Sequence, residues 1–168
     1  MNDYETKKRK FAGMMTLYGR KTVLEILRDS SIEIYRLHLA SSNKSSGTIQ
    51  NIETLAKHRG LEICYHDKGA LSRISKNGRQ DQGVAVDIEP ISYRDINQVA
   101  QTGGDLIGLD GITNPQNVGM VIRSVAASPL GGLLLPRKGC AKIDPLVHKA
   151  SAGTLFKAVI YHAATLEH

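Results

Sequence analysis

Residues 110–125 read DGITNPQNVGMVIRSV, and the fold of the second half of the chain turns on them. The run Leu106-Ile107-Gly108-Leu109 leads in, short and apolar behind the turn pair Gly103-Gly104. A polar loop with one proline and two asparagines follows, then an apolar segment carrying one charge, Arg123. The order is strand, loop, helix. Asn114 before Pro115 makes one N-cap and N1 pair; Asn117 before Val118 and Gly119 makes a second cap, and the sequence alone does not choose. Either choice gathers backbone N–H groups and amide side chains at a strand's C-terminal end, where open α/β sheets bind ligands. A helix N-terminus there suits an anion such as phosphate. Arg123 follows Gly119 by four positions, on the same predicted helix face, among Met120, Val121, Ile122 and Val125. A guanidinium amid apolar neighbours needs a partner, because an unpaired buried charge is costly. An exposed helix arginine or an internal ion pair fits the same spacing.

Downstream, Ser128-Pro129-Leu130-Gly131-Gly132 breaks the helix and residues 133–136 read as a buried strand. A basic loop, 137–143, carries Arg137, Lys138 and Lys142. It should share the sheet edge of the Asn114–Asn117 loop, as a phosphate-binding rim or as solvated charge. Asp144-Pro145 opens a helix over 145–150, Ser151-Ala152-Gly153 ends it, and 155–162 reads as a final strand. Helical crossovers between strands give a parallel sheet.

Upstream, 92–100 reads as a short helix and 101–104 as a hinge. The first ninety residues alternate α-β-α-β-α-β: helices at 18–29, 48–59 and 68–74, strands at 32–40, 61–65 and 83–88. That alternation implies a layered α/β unit. The opening residues MNDYETKKRK are polar and end in four cations, a solvated tail that can order on RNA. Arg73, Lys76 and Arg79 form another basic cluster; with the side chains of Gln80, Asp81 and Gln82 it could grip an RNA loop.

Net charge of +6 and a pI of about 9.4 favour a polyanionic partner. Aromatics at 5% with no Trp argue against base-stacking platforms. Cys64 and Cys140 belong to no CxxC pair, and Cys64 reads as a small core residue. None of the six histidines has metal-ligand spacing along the chain, so no metal is expected. No nucleophile elbow, GxGxxG or P-loop occurs, which removes support for a hydrolase or a small nucleotide-binding domain. Without a membrane-length apolar run or a secretory segment, a cytoplasmic, membrane-free location is expected.

The pattern Asp110-x3-Asn114-Pro115-x-Asn117-x-Gly119-x3-Arg123-Ser124 resembles the first motif of the SpoU/TrmH family of RNA ribose 2′-O-methyltransferases, within the SPOUT superfamily. The family usually has Asp-Pro where this chain has Asn114-Pro115. Ser151-Ala152-Gly153 resembles the family's next short motif. Residues 16–90 resemble its L30e-like substrate-binding domain. The resemblance implies a basic tail over 1–15, an L30e-like RNA-binding domain over 16–90, a linker over 91–104 and a partial methyltransferase domain over 105–165. The fold class expected is α/β, an α/β/α unit followed by the first part of a parallel-sheet SPOUT domain without its knot.

The same resemblance implies methyl transfer from S-adenosylmethionine to a ribose 2′-hydroxyl of rRNA or tRNA. Arg123 would be catalytic, with Asn117 supporting it. A guanidinium holds its proton too tightly for a literal base, so Arg123 would clamp a phosphate and stabilise developing alkoxide charge. Candidate RNA contacts are Arg20, Arg73, Lys76, Arg79, Arg137, Lys138 and Lys142. The family's cofactor pocket lies beyond Ser151, where 17 residues remain, and Leu166-Glu167-His168 look like a tag junction. A truncated piece that binds no cofactor is therefore expected. Apolar surface around 133–135 and 155–160 should be exposed, to be covered by another copy or a swapped segment or left poorly ordered, which allows a homodimer. The competing reading is a non-catalytic RNA-binding module.

Overall fold

The structure, a computed structural model, describes residues 13–99 and 103–166. The chain divides into two compact units, Met1–Pro90 and Ile91–His168. The cluster Lys7, Lys8, Arg9 and Lys10 and most of the expected tag junction lie outside the described residues.

In the first unit the described order is β1 (Met15–Tyr18), α1 (Arg20–Arg28), β2 (Ile34–Ala40), α2 (Thr48–His58), β3 (Glu62–His66), α3 (Lys68–Ser75) and β4 (Val84–Ile88). The sheet order is β1-β4-β2-β3. Strand β4 pairs antiparallel with β1 and β2, and β3 adds in parallel to β2. Strand β1 is absent from the sequence reading. MTLY is four residues long and abuts the helix, so its pairing with 85–88 is what defines it. Met15, assigned to the tail by sequence, is its buried first residue. Strand β4 is buried at all five positions because the sheet is covered on both faces there. Helix α1 buries Val23, Ile26 and Leu27, and α2 buries Ile49, Ile52 and Ala56. Leu71 of α3 packs with Ala40, Ala85 and Tyr18. Arg59 ties off the end of α1. Its Nη1 donates to the Ile26, Leu27 and Asp29 carbonyls at the helix end, and its Nη2 to Ile32 O in the turn that follows.

One face of this sheet carries a polar row. Asp87 of β4 accepts from Thr16 Oγ1 at 2.7 Å, Arg36 Nε at 2.9 Å and His38 Nε2 at 3.0 Å. Burial alone would raise the Asp87 pKa. The hydrogen bonds from His38, Thr16 and Arg36 outweigh it and hold the carboxyl at about 2.

In the second unit the order is β5 (Arg94–Asp95), a 3-10 turn (Ile96–Gln98), β6 (Leu106–Gly108), α4 (Pro115–Ala126), β7 (Gly132–Pro136), α5 (Pro145–Ala150), a 3-10 turn (Leu155–Lys157) and β8 (Ile160–Ala163). All strands are parallel in the order β5-β8-β7-β6. Within the short helix expected at 92–100, residues 94–98 are instead β5 and a 3-10 turn. Asp95 caps that turn through Oδ1 to Asn97 N, and Tyr93 stacks on His162 with ring centroids 3.6 Å apart. Pairing with β8 overrides a weak local preference. The expected strand over 155–162 divides into a 3-10 turn and the shorter β8.

The apolar surface expected at 133–135 and 155–160 is not left open. Leu133, Leu135, Leu155 and Ile160 form one buried cluster with Val118, Ile122, Val125 and Val147. The helices that flank β7 in sequence fold back to cover it.

Candidate functional site

Asn114 is the N-cap of α4: its Oδ1 accepts from Gln116 N at 2.9 Å, with Pro115 at the first helical position. That leaves Asn117 exposed in the first turn, its side chain unused by the cap. Val118, Gly119, Ile122 and Val125 form the buried stripe of the helix. A Cβ on Gly119 would collide with Ala150 Cβ and lie 2.6 Å from Val147 O and 2.9 Å from Ser151 N. The motif glycine is thus a contact point between α4 and α5, where only a hydrogen fits.

Arg123 does not follow Gly119 into that contact. It is exposed at the edge of the stripe, and no hydrogen bond or ion pair of its side chain occurs among the described residues. Of the alternatives that the spacing left open, the exposed helix arginine is the one formed; Met120, three residues earlier, is itself 55% exposed. Arg123 therefore escapes the desolvation penalty and stays available to a ligand.

The basic loop after β7 meets the asparagine loop at one sheet edge. Ala141 N donates to Ile112 O at 2.9 Å, and Cys140 Sγ lies 3.3 Å from Leu109 O. Arg137, Lys138 and Lys142 are all exposed there. Asp144 caps α5, accepting from Leu146 N and Val147 N at 2.9 Å each. Behind the helix pair, His148 is buried, its ring 5.3 Å from that of Phe156, and its Nδ1 has no partner among the described residues. Burial pushes its pKa down to about 4.

The first unit holds a separate cleft of about 520 Å³, lined by Arg20, Asn43, Lys68, Arg79, Asp81 and Gln82 among others. The start of α1 lacks a side-chain cap of its own. Gln82 Oε1 accepts from Arg20 N at 3.0 Å instead, and Arg20 Nε donates to Gln82 O at 3.2 Å. Asp81 is buried and braces the wall, accepting from Ser75 Oγ at 2.8 Å and Gly83 N at 2.9 Å. Residues 75–82, a plain loop by composition, are a hydrogen-bonded turn in which Asn77 Nδ2 also donates to Tyr18 Oη at 2.8 Å. Of the basic residues singled out by sequence, Arg20 and Arg79 line the cleft. Arg73 and Lys76 are exposed but do not line it. Lys68 does and was missed, since one lysine opening a helix carries no signal of its own.

Residues 106–168 match the SpoU rRNA Methylase family, and residues 16–94 match the RNA 2'-O ribose methyltransferase substrate binding family. The chain belongs to the SpoU family. A tRNA/rRNA methyltransferase of Mycolicibacterium vanbaalenii, itself described as uncharacterized, is 30% identical over 154 residues, covering 88% of this SpoU chain and 48% of the relative. A counterpart from Mycobacterium leprae is 28% identical over 156 residues. The chain thus spans about half the length of the curated relatives it matches. Two solved structures share its fold. The AdoMet-bound rRNA methyltransferase of Sinorhizobium meliloti has a TM-score of 0.68 at 21% identity, over 94% of this chain and 57% of that one. The SpoU methyltransferase AviRb of Streptomyces viridochromogenes, in complex with AdoMet, has 0.67 at 20%, over 95% and 58%. No described helix of this SpoU chain is long and apolar enough to cross a membrane.

Proposed function

We propose that the protein to which this chain belongs methylates a ribose 2′-hydroxyl of rRNA or tRNA, with S-adenosylmethionine as donor. The observation carrying this reading is the sheet edge of the second unit. There the capped start of α4, exposed Asn117 and the cations of 137–142 adjoin, and Arg123 stands on the same helix, unpaired among the described residues.

Those groups fit a phosphate and a ribose. They do not fit the cofactor, because Arg137, Lys138 and Lys142 would repel a sulfonium cation. These three cations are therefore not assigned to S-adenosylmethionine, and the 168 residues by themselves should not bind it; calorimetry at micromolar concentrations checks this. What this chain supplies is the RNA half of the site. Arg123 grips a phosphate through paired N–H donors and stabilises negative charge as the hydroxyl loses its proton. Asn117 orients the ribose by hydrogen bonding. The cleft of Arg20, Lys68 and Arg79 holds another part of the RNA by its backbone.

The test is transfer of labelled methyl groups to rRNA and tRNA pools by the full-length protein. A 2′-O-methyl group makes the adjoining phosphodiester resist alkali, so labelled alkali-stable dinucleotides are expected. Label on a base, or RNA binding without transfer, would replace this reading by a base methyltransferase or a binding module.

A further inference from the structure

The polar row on the first sheet continues into a cluster that the RNA cleft does not use. His38 of β2 pairs with Cys64 of β3, and Ala40 with His66, in parallel register. Partners across a parallel pair, and residues two apart along a strand, share a face. His38, Cys64 and His66 therefore project from the same side. A ring nitrogen of each histidine and Cys64 Sγ all lie within 4.8 Å of one another. His38 Nδ1 and His66 Nε2 are 2.9 Å apart. His38 is buried, while Cys64 and His66 are half-buried, so the cluster is reachable from one side.

The two ends of the His38 ring are not equivalent. Nε2 faces Asp87 Oδ2 at 3.0 Å, and that carboxyl group is held in place by Thr16 and Arg36. Oδ2 also accepts from Arg36, so it is the acceptor of the Nε2 proton, which leaves the Nδ1 lone pair directed at His66 and Cys64. A carboxylate behind a histidine, setting its tautomer and aiming its other nitrogen, is the usual support of a metal-bound imidazole.

We propose that His38 Nδ1, His66 Nε2 and Cys64 Sγ bind a zinc-class divalent cation, with water in the fourth position. Ligand bonds of about 2.0–2.1 Å to nitrogen and 2.3 Å to sulfur place tetrahedral donors about 3.5 Å apart. The distances present, from 2.9 Å to no more than 4.8 Å, bracket that value, so side-chain rotation suffices. Binding releases the thiol proton of Cys64 to solvent and moves the His66 proton from Nε2 to Nδ1, with no redox change. Two nitrogens and one sulfur select a borderline cation such as zinc over magnesium or calcium, which prefer oxygen. The bound ion clips edge strand β3 to β2. Nothing in the chain spacing announces the site, because one ligand is more than twenty residues from the other two.

The experiment uses the chain stripped with chelator and titrated with cobalt(II). One equivalent should give a thiolate-to-cobalt charge-transfer band and the visible bands of tetrahedral cobalt, both abolished by added zinc. Cys64→Ser should remove the charge-transfer band, His66→Gln should weaken cobalt binding at least tenfold, and Cys140→Ser should change neither. Asp87→Asn, which keeps the shape but removes the charge behind His38, should weaken binding about 10–100-fold. Cys64 and His66 lie half-buried on an edge strand, and circular dichroism verifies that both variants fold. Zinc should raise the melting temperature of the wild type and not of the Cys64→Ser, His66→Gln double variant. Absence of a thiolate band in the wild type, or its persistence in folded Cys64→Ser, overturns the proposal.

Discussion

Arg123 and His148 lie on adjacent helices and meet opposite physical fates. Arg123 is exposed and free of partners among the described residues, so removing it takes away little that holds the fold together. In the full-length enzyme, Arg123→Ala should lower methyl transfer by at least about 100-fold, the scale of a lost charge-stabilising donor. The melting temperature should stay within a degree or two. Arg123→Lys should recover little, because an ammonium cannot reproduce a two-pronged contact. Single-turnover methylation assays separate this from a binding defect, and near-normal turnover by the alanine variant would refute the role. His148 is buried, and its folded pKa of about 4 lies below the ordinary imidazole value of 6.5. Between those values the unfolded chain takes up a proton that the folded one refuses. Its contribution to stability is therefore intact above pH 6.5 and is lost as pH falls toward 4, by about 2 kcal/mol at pH 5. Denaturant titrations at pH 7.5 and 5 measure the loss, and His148→Leu should remove that part of it.

At the scale of elements, the contact of α4 with α5 holds the site together. Gly119 lets the helix carrying Asn117 and Arg123 lie against the helix capped by Asp144. Gly119→Ala gains up to about 1 kcal/mol of intrinsic helix propensity. Against that, its Cβ meets the backbone at Val147 and Ser151, which cannot swing aside as a side chain would. Overpacking of about 1–3 kcal/mol should win, and the melting temperature should fall. An unchanged or raised melting temperature would mean that the helices separate at little cost. The two loops at the sheet edge should shift with α4, so transfer by the full-length enzyme should drop as well.

At the scale of the whole chain, two compact units, each with its own sheet, should be separable. A fragment of residues 13–90 should fold alone, with a cooperative thermal transition. It should bind structured RNA weakly, with affinity falling as salt rises. Replacing both Arg20 and Arg79 with Gln should flatten the salt slope by about two, one for each phosphate no longer neutralised. Filter binding at graded salt reads both quantities, and an unaltered slope would move the RNA away from the cleft.

The sequence by itself determined the periodic elements. Asp144-Pro145 stated its helix start outright, and the seven motif positions from Asp110 to Ser124 carried the family, because caps and short motifs are local in the chain. Tertiary structure decided whatever depends on partners far along the chain. It chose Asn114 over Asn117 as the cap and turned 94–95 into a strand by pairing it with β8. It left Arg123 in solvent while Gly119 went into the helix contact. It also brought His38 beside Cys64 and His66, taking Cys64 from an expected core position to a half-buried place on the polar face. Sheet register joins residues at any separation, and no periodicity along the chain encodes it.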